Sequence, residues 1–127
     1  MYILIGGAGF VGTRLKQELN KFVILDKRLD SNQFADITKP ETLASKISFG
    51  DSIVLLAAEH RDDVSPTTKY YDTNVRGTQN LLDEMDRVGC KQLIFTSSVA
   101  VYGLNKLNPD ENHEVNPFNH YGKSKWE

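Results

Sequence analysis

Cys90 is the only cysteine among 127 residues. No disulfide can form within the chain, and a reducing, cytoplasmic setting is expected. Cys90 itself reads as a small residue at a helix-to-strand junction rather than a reactive thiol. Long hydrophobic runs are also missing. The longest, Ile53 to Ala58, is far too short to span a bilayer. Met1 leads straight into a strand-like segment, without the pattern of a signal peptide. Charge of one sign is not in excess: 15 basic residues face 17 acidic ones, for a formal charge of −2. No basic stripe stands out, so neither a nucleic-acid nor a membrane partner is expected. His60, His113 and His120 fall at no metal-ligand spacing, and no metal is assigned. There is no internal repeat, low-complexity tract or obvious linker, and the length suits one domain.

What is present is an alternation of short apolar runs with helical patterns. Tyr2 to Ile5, Phe22 to Leu25, Ser52 to Leu56 and Gln92 to Thr96 read as buried parallel strands, with a brief further strand at Phe34-Ala35. Phe10 to about Asn20 reads as a helix whose inner face is Val11, Leu15 and Leu19. Pro40 to Ile47 suits a short helix. A long helix is expected from Pro66 to Val88, capped by Ser65 and stopped by Gly89, with Tyr71, Val75, Leu82 and Met85 inward. Residues 101–119 read as loop, and a last helix starts near Tyr121. The fold class implied is α/β: a Rossmann-like, doubly wound parallel sheet in three αβα layers.

The turn Gly6-Gly7-Ala8-Gly9-Phe10-Val11-Gly12 joins the first strand to the first helix. Glycine is required where the backbone turns tightly and where phosphate oxygens approach the main chain, and the third glycine lets helix and sheet pack closely. The helix N-terminus adds N–H groups suited to a pyrophosphate. Asp26 follows Gly6 at the end of the second strand. A carboxylate there accepts hydrogen bonds from the adenosine ribose and repels a 2′-phosphate, which favours NAD over NADP. Lys27 and Arg28 pull the other way, since they suit a phosphate.

Tyr121-Gly122-Lys123-Ser124-Lys125 contains Tyr-x-x-x-Lys. Positions four apart share a helix face, so Tyr121 and Lys125 pair, whereas Lys123 points elsewhere. A lysine ammonium beside a phenol favours the phenolate, which then serves as a proton acceptor during hydride transfer.

Taken with Asp36-Ile37, Leu56-Ala57-Ala58, Asn74-Val75-Arg76-Gly77-Thr78-Gln79-Asn80-Leu81-Leu82 and Thr96-Ser97-Ser98-Val99-Ala100-Val101-Tyr102-Gly103, these motifs resemble the extended short-chain dehydrogenase/reductase family. The branch is that of NAD-dependent nucleotide-sugar epimerases and dehydratases, in particular its UDP-glucose 4-epimerase-like members. The motifs run in family order over almost the whole chain. The resemblance implies that Ser98, Tyr121 and Lys125 are catalytic, with Ser97 the runner-up for the serine. It implies cofactor contacts from Gly6, Gly9, Phe10, Val11, Gly12, Asp26, Asp36, Ile37, Leu56, Ala57, Ala58, Asn74, Tyr121 and Lys125. Asp36 and Ile37 match a pair that contacts adenine, although Asp36 also suits the acid of a helix start. Tyr102 is expected in the pocket wall. His60 and Arg61 stand either against the ligand or in a solvated loop.

The reaction implied is epimerisation of a UDP-, dTDP- or GDP-sugar through transient oxidation of a hydroxyl by NAD. Dehydratases of the branch carry Asp-Glu after the serine or threonine; Val99 and Ala100 stand there, which favours an epimerase. The alternatives are an NAD(P)-dependent reductase or dehydratase, or a non-catalytic dinucleotide-binding remnant. Members of the family continue well past the catalytic helix, so residues 1–127 are expected to be the incomplete NAD-binding domain, truncated after the fifth strand region and without the C-terminal substrate domain. The strand at Gln92 to Thr96 should then have an unpaired edge. A homodimer through helices 66–88 and 121–127 is a further implication.

Overall fold

The computed structural model describes residues 1–127. Four strands, each of four residues, form one parallel sheet: β1 (Tyr2–Ile5), β2 (Phe22–Leu25), β3 (Ser52–Leu55) and β4 (Gln92–Phe95), in the order β2-β1-β3-β4. Ile3, Leu4 and Ile5 are at most 1% exposed, as a strand covered on both faces requires. The pairing is flush. Ile5 lies opposite both Leu25 and Leu55, and Leu55 opposite Phe95, so all four strands end at one level. Twelve buried side chains form the core, drawn from the strands, from Ala35, Ile37, Leu43 and Ile47, and from Leu81, Met85 and Cys90 in and after the third helix.

The helices are α1 (Phe10–Leu15), α2 (Thr68–Tyr71), α3 (Thr78–Val88) and α4 (His120–Trp126). Several depart from the expected spans. α1 ends at Leu15 because Gln17 and Glu18 bond back three residues, to Arg14 and Leu15, instead of four. Val11 is 54% exposed and turns away from the core, while Leu15 and Leu19 are only partly buried. In place of a helix over Pro40 to Ile47 there is a single 3₁₀ turn, Pro40–Thr42, and Ser45 then takes a left-handed φ of 63° that no helix continues. Leu43 and Ile47 are buried nonetheless. The strand at Phe34-Ala35 contracts to one parallel bridge, Asp26 to Phe34, because a 3₁₀ turn at Ser31–Gln33 uses up the connection.

The long helix differs most. Ser65 does not cap it. The helix begins at Thr68, since the preceding loop folds back on Tyr70, whose hydroxyl donates to the Arg61 carbonyl and accepts from Val64 N–H. One wider π turn, Asp72–Gly77, separates α2 from α3 and rotates the inward face. Tyr70, Asn74, Gly77, Leu81 and Met85 are buried, whereas Tyr71 and Val75 are half-buried and Leu82 is exposed. Gly77 must be glycine here, because a Cβ would come within 2.7 Å of Ile37 Cγ1. Gly89 stops α3 as expected, with φ 72°. Cys90 lies buried at the α3–β4 junction, its thiol donating to the Asp51 carbonyl at 3.2 Å. β4 pairs only with β3, so its other edge is open, and Ile94 is 53% exposed. No helix is long and apolar enough to cross a membrane.

Candidate dinucleotide site

Because the strands end level, the loops that follow them open onto one ledge. Above it lies a cavity of about 790 Å³. Its walls come from the turn after β1 (Gly6, Gly9, Phe10, Val11), the end of β2 (Asp26, Lys27, Arg28), the Ala35–Ile37 segment, the loop after β3 (Leu56 to Arg61), Thr73, Thr96 and Ser97 after β4, and Tyr121 and Lys125 from α4.

The glycine turn is shaped by contact. Gly6 has φ 81°, and a Cβ there would lie 2.5 Å from Ala57 N. Ala57 is held at that distance because both it and Leu56 donate to the Ile5 carbonyl. A Cβ on Gly12 would lie 2.2 Å from the Gly7 carbonyl oxygen, so Gly12 serves the packing of α1 on the turn and does not reach the cavity. Gly9 is different. Its Cβ position meets nothing nearer than 3.4 Å, leaving the main chain open to a ligand.

Asp26 is 4% exposed and fully engaged. Oδ2 accepts from Ala8 N–H at 3.1 Å, which ties the acid to the glycine turn, and Oδ1 accepts from Arg28 N–H at 2.9 Å. The Arg28 guanidinium adds Nε to Oδ1 at 3.1 Å and Nη2 to Oδ2 at 3.2 Å. Burial pushes the carboxyl pKa up, but the Arg28 side chain and the two backbone N–H groups outweigh it, and the group stays below its ordinary value. Asp36 and Ile37 line the cavity next to it. Asp36 Oδ1 accepts from both N–H and hydroxyl of Thr38, as the acid of a turn does, and the Ile37 carbonyl is held by Asn80 at 2.8 Å.

α4 is started by Asn119, whose side chain accepts from Gly122 N–H at 2.8 Å, a cap that sequence reading passed over although Asn is among the preferred residues. Tyr121 and Lys125 face the cavity, one turn apart, while Lys123 is exposed on another face. Lys125 is 7% exposed, and burial lowers its pKa. Its ammonium lies 4.2 Å from the centre of the Phe95 ring, a cation–π contact that the sequence did not suggest.

Three expected site residues stand back from the cavity: Gly12, Asn74 and Ser98. Asn74 is 5% exposed and committed elsewhere. Its Oδ1 accepts from Glu59 N–H at 2.8 Å, and its Nδ2 donates to the Glu59 carbonyl and to Ser124 Oγ, each at 2.9 Å. It therefore joins the loop after β3 to α4 from inside the π turn. Ser98 Oγ accepts from Ala100 N–H at 3.1 Å and caps the 3₁₀ turn Val99–Tyr102, whereas Ser97 lines the cavity. Tyr102 is also absent from the wall and packs edge-on to His113. His60 and Arg61 do line it, as do Glu59 and Thr73, which sequence reading missed. No group of three or more His, Cys, Asp or Glu side chains is placed to hold a metal.

A glycine turn without room for Cβ, a buried acid at the end of the neighbouring strand and a cavity across the strand ends define a dinucleotide-binding α/β domain. The residues fit NAD chemically: Gly9 leaves space beside the main chain, Asp26 presents a carboxylate at the end of β2, and Lys125 and Tyr121 line the same cavity. The chain belongs to the NAD dependent epimerase/dehydratase family, whose model matches residues 2–127. It is 56% identical to N-acetyl-alpha-D-glucosaminyl-diphospho-ditrans,octacis-undecaprenol 4-epimerase of Escherichia coli O157:H7, over 98% of this chain and 40% of that protein. It is 34% identical to UDP-glucose 4-epimerase of Lactobacillus helveticus, over 97% and 43%. The fold matches UDP-glucose 4-epimerase from Brucella ovis, solved in complex with NAD, with a TM-score of 0.80 and 30% identity over 98% of this chain and 44% of that one. The chain thus spans less than half the length of these relatives.

Proposed function

We propose that this chain is the cofactor-binding and proton-transfer part of an NAD-dependent sugar 4-epimerase acting on a diphosphate-linked hexose. The observation that supports it is one cavity lined at once by Gly9, Asp26, Tyr121 and Lys125. NAD, when bound, supplies reversible hydride transfer at the nicotinamide. The chain's own residues supply the rest. Tyr121 accepts the proton of the sugar hydroxyl and later returns it. Lys125, one helical turn on from Tyr121 and on the same cavity wall, would hold the nicotinamide ribose. A serine orients the hydroxyl; the family motif assigns this to Ser98, and the cavity wall offers Ser97. Val99 and Ala100, which can neither give nor take a proton, favour epimerisation over loss of water.

The substrate follows from the relatives. The protein from E. coli, at 56% identity, is named for a sugar on a diphospho-polyprenol, and others are named for UDP-glucose. The shared chemistry is a hexosyl diphosphate inverted at C4, and the higher identity favours the polyprenol-linked N-acetylglucosamine over a nucleotide sugar. The test is incubation with NAD and either the polyprenol-linked sugar or a UDP-sugar, with products resolved by chromatography and absorbance followed at 340 nm. Inversion at C4 without net change in reduced cofactor is expected. Net formation of NADH with these sugars, or net consumption of NADH in a parallel assay supplied with NADH and the keto-sugar, would make it an oxidoreductase, and NAD binding with no turnover of any substrate would make it a binding module.

A further inference from the structure

Asp26 carries four hydrogen bonds, and they divide into two kinds. Two come from main-chain N–H groups, Ala8 and Arg28, which fix the carboxylate in place. The other two come from the Arg28 guanidinium, one to each oxygen. A ribose diol also offers two donors, side by side, to the same two oxygens. The carboxylate is 4% exposed, so there is no spare approach. The guanidinium also lies over the glycine turn, with Nη2 3.4 Å from the position a Gly9 Cβ would take. It thus covers the ribose acceptor and the open main chain at Gly9 together. Yet its own side chain is 59% exposed and has no other partner, so it is free to leave.

We propose that Arg28 is a latch on the adenosine subsite: its guanidinium occupies the acceptor positions of Asp26, and the cofactor ribose binds by exchanging with it. This rests on the reading of Asp26 as the ribose acid. Two consequences follow. Affinity for NAD is lowered by the share of molecules in which the latch is closed. A 2′-phosphate, by contrast, offers the guanidinium an anion to replace Asp26, so Arg28 narrows the preference for NAD over NADP that a lone aspartate would impose. The contact is a partly exposed ion pair and is screened by salt.

The experiment is calorimetric titration of the wild type, Arg28→Ala and Asp26→Asn with NAD and with NADP, at low and high KCl, with circular dichroism confirming that each is folded. Arg28→Ala is expected to bind NAD about three- to tenfold more tightly and NADP more weakly. Wild type should close part of the NAD gap to Arg28→Ala as salt rises. Unchanged or weaker NAD binding by Arg28→Ala, while Asp26→Asn loses NAD affinity, would overturn the latch alone. Unchanged NAD binding by Asp26→Asn would overturn the ribose assignment beneath it.

Discussion

Glycines within one turn divide between folding and binding, and substitution separates them. At Gly6 the backbone is left-handed and Ala57 N occupies the Cβ position at 2.5 Å. Gly6→Ala is therefore expected to destabilise the fold by about 3 kcal/mol. Gly9 has φ −81° and room for a methyl group. Gly9→Ala should melt within a degree or so of wild type yet bind NAD at least about tenfold more weakly, as thermal unfolding and titration will show. Lys125 gives the opposite trade. Burial penalises its charged form, so its folded pKa lies below the ordinary 10.5. The penalty is fully present below the folded value and is relieved as pH rises from there toward 10.5. Lys125→Met, which keeps a contact with the Phe95 ring, should stabilise the chain at neutral pH by on the order of 1 kcal/mol, with the gain shrinking in alkali. Urea midpoints at two pH values test this, and a loss of stability on substitution would contradict it. The placement of these residues on the cavity wall was readable from type and spacing. The Arg28 contact with Asp26 was not, because two side chains competing for one pocket leave no periodic trace.

Among the elements, the strands were the most legible: four apolar runs appear within one residue of the expected bounds. The long helix was legible in existence and in its Gly89 stop, but not in phase. Periodicity assumes a constant turn, and the π turn at Asp72–Gly77 breaks it where Asn74 must reach both Glu59 and Ser124. The Pro40 segment failed for a related reason, since Leu43 and Ile47 have helical spacing and burial but Ser45 reverses the backbone between them. Asn74→Ala would leave Glu59 N–H and carbonyl without their side-chain partner and release Ser124. A loss of about 1–3 kcal/mol is expected, together with faster hydrogen exchange at Glu59 and through α4. Exchange confined to the π turn, with α4 unchanged, would show that Asn74 does not brace the helix of Tyr121.

At the scale of the whole chain, the sheet is asymmetric. β2 is followed by the single bridge at Phe34, while β4 ends the sheet with an open edge and with Ile94 and Phe95 exposed. An apolar open edge promotes pairing between chains. Sedimentation of the 127-residue chain should show concentration-dependent association, and Ile94→Lys should reduce it without altering NAD affinity. The parallel α/β architecture was legible as a whole because each apolar run is bounded by turn residues. The placement of Ser97 rather than Ser98 on the cavity wall was not, since it depends on how a 3₁₀ turn begins.

The flush ends of the strands have a separate consequence. Since Leu25, Ile5, Leu55 and Phe95 stand in one row, each loop leaves from a common baseline, and neighbouring loops touch at their first residues, Ala8 with Asp26 and Gly6 with Ala57. The loops after β1, β2, β3 and β4 all contribute to the wall of the one cavity. Such a layout is modular: segment 58–61 or 96–103 is expected to accept a relative's sequence without unfolding the glycine turn, which thermal unfolding of the exchanged chain will show.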